Sequence, residues 1–238
     1  MRIQRIALKN FRTYDYADFT FSPTTNVLIG KNAQGKTNLI EAIYLLSVAK
    51  SFRTRLNQEM IMFEREFAKI IGLVQTKTSQ KNLEMVLFEK GKQAKINQAL
   101  CHKTSEFVGI FNEVVFTPDD LFFVKGSPKI RRRFMDIELS KISSLYLSYF
   151  NSFQHFFKER NQYLKQAGQT RKRDDVYLDV ITHQMIDVQI EIAKQRTDFI
   201  AKLNDFTKQI YKKISQHDEN ITLVYETFFD VNSPSVKE

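Results

Sequence analysis

Two kinds of short segment predict β-strands in the first half of the chain. Some segments alternate between apolar and polar positions, as strands with one buried face do. Others are short, continuous apolar runs, which suit strands buried on both faces, as in a parallel sheet. The alternating segments are residues 3–8, 17–21, 67–76 and 83–89. The continuous runs are residues 26–29 and 114–116.

Helical spacing marks one segment of the first half and most of the second. Residues 38–46 place apolar side chains three and four positions apart, directly after a glycine-rich loop. Ser127 suits an N-cap and Pro128 the first helical position, and from there nearly everything to residue 217 has helical spacing. A polar break at 168–175 divides this region, which predicts two long helices forming a hairpin. Residues 221–228 return to a strand pattern.

The charge of the chain favours an anionic partner. It has 36 Lys and Arg against 27 Asp and Glu, a formal net charge of +9. Nucleic acid is the usual partner of such a protein, and a solubilising surface without a partner is the alternative. No apolar run is long enough to span a membrane, and Cys101 is the single cysteine, so no disulfide framework is expected. We therefore expect a cytoplasmic protein without a membrane partner.

The segment from Gly30 to Thr37 reads G-x-x-x-x-G-K-T, the pattern of a phosphate-binding loop. It stands between the apolar run 26–29 and the helix at 38–46, which is the strand, loop and helix context the pattern requires. In such a loop the backbone N–H groups and the helix N-terminus hold phosphate oxygens. Lys36 would reach the β- and γ-phosphates, and the Thr37 hydroxyl would bind Mg²⁺. The sequence therefore predicts binding of ATP with Mg²⁺.

A complete ATPase site also needs an apolar strand that ends in an acidic residue, and the chain shows none. The segment 114–120 places two acids after an apolar run, but Pro118 separates them and would more naturally start a helix. An L-S-x-G signature is also missing. The predicted site thus has the phosphate-binding loop but lacks the acidic strand end and the signature. Whether the chain hydrolyses ATP stays open.

Several segments together resemble one family. The Asn10–Arg12 triplet, the region 30–43 and the Ser51–Arg53 triplet resemble the heads of SMC-like ATPases. The stretch from Phe116 to Asp136, with Arg131, Arg132 and Arg133, is similar to the RecF family in particular. The likeness extends over nearly the whole chain.

This resemblance implies an α/β fold: an ABC/SMC-type P-loop ATPase head lobe with a mixed sheet and an inserted helical lid lobe. Residues 1–126 would form the ATPase lobe, 127–217 the helical lid, and 218–238 the start of the return to the ATPase lobe. Because the signature and Walker B motifs of the family lie beyond this length, we expect the native chain to continue past Glu238.

The resemblance also assigns roles to residues. Arg12 would lie near the nucleotide, and Arg53 would be the arginine supplied in cis to the phosphates. The residues expected to hold the nucleotide besides Arg12 are Gly30, Lys31, Asn32, Ala33, Gln34, Gly35, Lys36, Thr37 and Asn38. Family members are slow ATPases that dimerise around ATP, bind single-stranded, double-stranded and gapped DNA, and work with RecR and RecO to load recombinase.

Three adjacent arginines, Arg131, Arg132 and Arg133, are candidates for DNA contact. On a helix they point about 100° apart, so at most two of them meet one phosphate backbone. A structural pairing with Asp119, Asp120 or Asp136 is an equal alternative. For the whole chain, the alternatives to an ATP-switched DNA-binding protein are a P-loop phosphotransferase acting on a small molecule and a catalytically incomplete nucleotide-binding fragment.

Overall fold

The computed structural model describes residues 1–76, 78–170, 173–215 and 220–227 of the chain. They divide into two compact units, Met1–Ile130 and Arg131–Glu238, and each unit is described by itself. The last eleven positions of the predicted return segment, 228–238, lie outside the described residues.

The first unit contains an open, six-stranded antiparallel sheet. Its strand order is β2-β1-β3-β4-β5-β6. The central strands bury every second side chain, as the alternating pattern predicts for a sheet with one covered face. The strands are β1 (Arg2–Phe11), β2 (Tyr14–Thr20), β3 (Phe67–Gln75), β4 (Gln80–Phe88), β5 (Gly91–Ile96) and β6 (Ala99–Leu100).

One helix, α1 (Lys36–Val48), covers the buried face of this sheet. Leu39, Ala42, Leu45 and Leu46 of α1 pack into a single core with apolar side chains of β1, β3 and β4. The helix approaches β3 closely at Gly72, where a Cβ atom would overlap the side chain of Leu46. This packing fixes the height and direction of α1 above the sheet, and so places the N-terminus of the helix.

Two predicted strands are not formed among the described residues. Segments 26–29 and 114–116 run without regular secondary structure, and Val27, Ile29, Val114 and Phe116 are almost fully exposed. A strand requires a neighbouring strand for its backbone hydrogen bonds, and no described strand pairs with either segment. The parallel component of the expected mixed sheet is therefore not present in the described part of the chain, where all strand pairs are antiparallel.

Short helices of the first unit lie before β3 and after β6. They are a 3₁₀ turn at Gln58–Met60, α2 (Thr104–Phe107), a 3₁₀ turn at Pro118–Leu121 and α3 (Phe122–Lys125). The short helix predicted after Pro118 is thus present, in two pieces.

Long helices make up the second unit: α4 (Pro128–Ile142), α5 (Ser144–Thr170) and α6 (Asp175–Ile214). The prediction of two long helices was wrong at one point, because the chain breaks at Ser143. The hydroxyl of Ser143 accepts a hydrogen bond from the backbone N–H of Tyr146 at 3.0 Å and so caps α5. Asp174 caps α6 in the same way through the N–H of Tyr177, at 3.1 Å, and α5 and α6 pack as the expected hairpin.

The return segment does not form its predicted strand within the described residues. Residues 220–227 have no regular secondary structure, although they contact the helices of their own unit. The backbone N–H of Leu223 donates to Asn204 Oδ1 on α6 at 2.9 Å. No helix in the described part of the chain is both long and apolar enough to cross a membrane.

A buried polar cluster joins α4, α5 and α6. Asp136 accepts hydrogen bonds from the Tyr146 hydroxyl and from Arg196 Nη2, both at 2.5 Å, and Arg196 Nη1 donates to the Tyr225 hydroxyl at 3.2 Å. Burial, together with the Asp136 charge, raises the pKa of Tyr146, so its hydroxyl stays a donor. Burial lowers the pKa of Arg196, but the charge of Asp136, the neighbouring Tyr146 and the hydrogen bonds to Tyr225 and Asp136 together outweigh this effect, and the net shift is upward. The cluster is therefore a charged pair with satisfied hydrogen bonds.

Removing Arg196 leaves the Asp136 carboxylate buried without its cation. We expect Arg196→Ala to lower the free energy of unfolding by about 3 kcal/mol. Urea titration followed by far-ultraviolet circular dichroism measures this change in the helical unit. Lys194→Ala is the matched control on the same helix, since Lys194 pairs with Glu191 at an exposed site, and it should change stability by only about 0.5 kcal/mol. Equal effects of the two variants would contradict the role given to the cluster.

Candidate phosphate-binding site

The glycine-rich loop ends at Gly35, whose backbone conformation starts α1. Gly35 has φ +92°, in the left-handed region that favours glycine. Its carbonyl oxygen accepts a hydrogen bond from the Tyr14 hydroxyl at 3.1 Å and from the N–H of Leu39 at 3.0 Å. A Cβ atom at this position would lie 2.8 Å from the Tyr14 hydroxyl oxygen. Both backbone conformation and space therefore require glycine here.

The N-terminus of α1 presents backbone donors to this loop. The first intrahelical hydrogen bond is made by Leu39, so the N–H groups of Lys36, Thr37 and Asn38 have no carbonyl within the helix. These donors and the partial positive charge of the helix N-terminus together favour an anion. Lys31, Asn32, Ala33 and Gln34 form the exposed outer part of the same loop.

Lys36 folds back across the loop. Its ammonium nitrogen donates to the carbonyl oxygen of Gly30 at 2.7 Å and to that of Lys31 at 2.6 Å. The carbonyls of Gly30 and Lys31 thus hold the ammonium group within the loop that precedes α1. This arrangement places a cation where a phosphate would bind.

Thr37 is the candidate Mg²⁺ ligand, and it lies exposed on the first turn of α1. The described residues contain no group of three or more acidic, His or Cys side chains able to hold a metal ion. Mg²⁺ commonly keeps several waters and binds through a few protein oxygens plus substrate phosphates. A single threonine hydroxyl beside a phosphate site fits this mode, in which the nucleotide supplies further ligands.

A fully buried carboxylate lies behind the loop, on α1. Glu41 is 0% exposed and accepts two hydrogen bonds from Arg12, from Nε at 3.0 Å and from Nη2 at 2.7 Å. Arg53 Nη1 donates to the same carboxylate at 3.0 Å, and so does the Ser51 hydroxyl at 2.5 Å. The third nitrogen of Arg12, Nη1, donates to the backbone carbonyl of Glu59 at 2.5 Å. Glu41 therefore gathers the two arginines that sequence comparison places near the nucleotide.

Asn38 connects this cluster to the N-terminus of α1. Arg53 Nη1 donates to Asn38 Oδ1 at 2.8 Å, and Asn38 Nδ2 donates to the hydroxyl of Thr13 at 3.1 Å. Arg53 therefore lies beside the first turn of α1, while Thr13 ties this turn to the connection between β1 and β2. The structure brings Arg12, Asn38 and Arg53 together beside the loop, and their contact with a nucleotide stays a prediction.

Sequence reasoning missed Glu41, Ser51 and Tyr14. The available signal for Glu41 was a single acidic residue within the apolar pattern of residues 38–46. A charged residue at a buried helix position requires a partner, and basic residues flank the helix on both sides. Tyr14 gave no signal, because its contact with Gly35 depends on how β2 lies beside the loop.

The three adjacent arginines lie on α4. Arg132 and Arg133 are exposed, and neither forms an ion pair with another described residue. The Asp136 carboxylate, one of the proposed structural partners, binds Arg196 and Tyr146 instead. Asp120, another proposed partner, accepts from the backbone N–H and the hydroxyl of Thr117. The side chain of Asp119, the third proposed partner, lies outside the described residues. DNA contact by these arginines stays a prediction.

Comparison with known proteins places the chain beside ATPases of DNA repair. The AAA ATPase domain family matches residues 1–236. DNA replication and repair protein RecF of Bacillus subtilis (strain 168) is 43% identical over 98% of this chain, and RecF of Listeria monocytogenes serotype 4b is 41% identical over 98%. The chain spans 63% of the length of each of these relatives.

Solved structures give the same result. The recombination mediator protein RecF-ATPrS in the RecFOR pathway superposes with a TM-score of 0.85 and 30% identity, over 90% of this chain and 58% of that chain. The corresponding RecF-ATP structure has a TM-score of 0.84 over 90% of this chain and 57% of that chain.

Replacing Gly35 should weaken ATP binding by the loop without unfolding the protein. Gly35→Ala places a methyl group against Tyr14 and requires an unfavourable φ, so we expect ATP binding to weaken by about 100-fold, following distortion of the loop. Isothermal titration calorimetry measures the affinity. Gly168→Ala on α5 is the matched control, because nothing lies within 4 Å of a Cβ there. If Gly35→Ala binds ATP with wild-type affinity, the backbone geometry at Gly35 does not control ATP binding.

Proposed function

The chain belongs to the AAA ATPase domain family and is similar to RecF proteins over nearly its whole length, and from this premise we propose that it binds ATP and acts on DNA in replication and repair. The observation that carries this proposal is the position of Lys36, held by the Gly30 and Lys31 carbonyls beside the N-terminus of α1. A lysine ammonium held in the loop before a helix N-terminus is the group that would meet the β- and γ-phosphates.

ATP binding would use the loop in a defined way. The N–H groups at the start of α1 and the Lys36 ammonium would hold the β- and γ-phosphates, and the Thr37 hydroxyl would bind Mg²⁺ carried by the nucleotide. Mg²⁺ would neutralise phosphate charge and fix the orientation of the phosphates. Arg53, which lies beside Asn38, would face the terminal phosphate.

DNA binding would use basic surface that ATP brings together. We propose that two chains dimerise around ATP and jointly contact single-stranded, double-stranded or gapped DNA. The net charge of +9 supports an anionic partner. Arg132 and Arg133 are exposed cations on α4 and are candidates for phosphate contacts, with Arg131 beside them. We propose loading of recombinase with RecR and RecO in the cytoplasm as the corresponding cellular role. The similarity to a recombination mediator protein RecF of the RecFOR pathway supports this proposal.

Lys36→Ala tests the nucleotide part of this proposal. Because a charge-assisted contact to phosphate is lost, ATP affinity should fall by about 50-fold. DNA affinity of the wild type should rise on addition of ATP, and DNA affinity of Lys36→Ala should not. Lys50→Ala, at the other end of α1, removes the same charge from an exposed site and should behave as wild type. Fluorescence anisotropy with labelled DNA measures the DNA affinity of the three proteins with and without ATP. If ATP raises DNA affinity equally in the wild type, Lys36→Ala and Lys50→Ala, the proposal is contradicted.

The salt dependence of DNA binding tests whether the arginines on α4 contact phosphates. If Arg132 and Arg133 each neutralise a phosphate, the double variant Arg132→Ala/Arg133→Ala should reduce the slope of log K against log salt by about 2 units. Lys208→Ala/Lys212→Ala removes the same charge from exposed positions on α6 and serves as the control. Equal slopes for both double variants would exclude a direct contact by these arginines.

A further inference from the structure

The two arginines bound to Glu41 differ in how many of their nitrogens donate hydrogen bonds within the protein. Each of the three nitrogens of Arg12 donates a hydrogen bond, to Glu41 or to the Glu59 carbonyl, and its side chain is only 15% exposed. Arg53 donates through Nη1 alone, and its side chain is 41% exposed. Nε and Nη2 of Arg53 have no hydrogen-bond partner among the described residues. All three nitrogens of Arg12 therefore donate within the protein, whereas Nε and Nη2 of Arg53 can donate to another acceptor.

The charges of this cluster do not cancel. One carboxylate, Glu41, stands between two guanidinium groups, so the cluster carries one net positive charge. Arg12 binds the carboxylate through a two-pronged contact with both oxygens, which neutralises the buried charge. The second cation is then in excess of what burial of Glu41 requires. An additional anion beside Arg53 would balance it.

Glu41 also fixes where Arg53 can point. Its carboxylate and Asn38 Oδ1 hold the same nitrogen, Arg53 Nη1, at 3.0 and 2.8 Å. The Ser51 hydroxyl donates to Glu41 and accepts from the backbone N–H of Arg53 at 2.9 Å, so the carboxylate anchors the main chain of Arg53 as well. One end of the guanidinium is thus fixed beside the first turn of α1, and its other donors are directed away from the anchor.

We propose that Glu41 is a positioning residue that binds Arg12 as its structural counter-ion and aims Arg53 at the terminal phosphate, so that the site distinguishes a nucleoside triphosphate from a diphosphate. This inference rests on the proposed binding of ATP by the loop. Lys36 and the helix N–H groups serve both nucleotides, whereas Arg53 serves only the additional phosphate. Arg12, which the resemblance leads us to expect at the nucleotide, then acts through Glu41 instead, because all three of its nitrogens are bonded within the protein.

The test compares binding of ADP with binding of the slowly hydrolysed analogue ATPγS, each with Mg²⁺, by isothermal titration calorimetry on the 238-residue chain. Glu41→Gln keeps the shape of the side chain and removes its charge. The preference for ATPγS over ADP should fall by about tenfold, with ADP affinity unchanged, because a charge-assisted contact to the terminal phosphate is lost. Arg53→Gln should give the same fall, and the double variant should fall no further, since both changes remove one interaction.

Glu59→Gln is the matched control. It removes the same charge from an exposed side chain that lies outside the cluster and keeps the backbone carbonyl that Arg12 binds. We expect wild-type preference in this variant. If Glu41→Gln does not fold, as judged by its thermal melting curve, Ser51→Ala replaces it. Ser51→Ala leaves all three charges in place and removes the hydroxyl that links Glu41 to the main chain of Arg53 and Thr54. It should lower the preference by about threefold.

Two negative results have different meanings. Equal weakening of ADP and ATPγS by Glu41→Gln, or additive effects of Glu41→Gln and Arg53→Gln on the preference, would overturn the positioning role and leave ATP binding intact. A wild-type protein that binds neither nucleotide would overturn the proposed function together with this inference.

Discussion

The buried carboxylate of Glu41 is the interaction on which the candidate site depends. It lies in the middle of α1, on the face that packs into the core, and so it requires cations to be brought to it. Arg12 reaches it from the end of β1 and Arg53 from the segment after α1. One buried charge thereby connects the end of β1, the helix α1 and the segment that follows the helix.

The core of the first unit gives this cluster a fixed position. α1 packs on β1, β3 and β4, and the absence of a side chain at Gly72 lets the helix lie close to the sheet. Because the interior is close-packed, the helix cannot shift without opening the core. The N–H groups at its first turn, Lys36 and the Glu41 cluster therefore keep a constant arrangement relative to one another.

The helical unit also contains an ion pair with satisfied hydrogen bonds, and here the pair joins helices. Asp136, Tyr146 and Arg196 form a buried charged cluster that joins three helices. A buried ion pair adds little net stability over apolar side chains of similar shape, but breaking it leaves a charge without a partner. Such clusters therefore select one arrangement of helices from several that an apolar stripe alone would allow.

The sequence by itself determined the local features: the strands with alternating pattern, α1, the start of α4, the helical hairpin and the glycine-rich loop. These depend on periodicity, on N-cap residues and on glycine, all of which act over a few neighbouring residues. Only the tertiary structure decided that residues 26–29 and 114–116 stay unpaired among the described residues, because a strand depends on a partner elsewhere in the chain. It also decided the roles of Glu41 and Tyr14. Their contacts join residues 10 to 29 positions apart, and the packing of α1 on the sheet, which no local pattern encodes, brings them together.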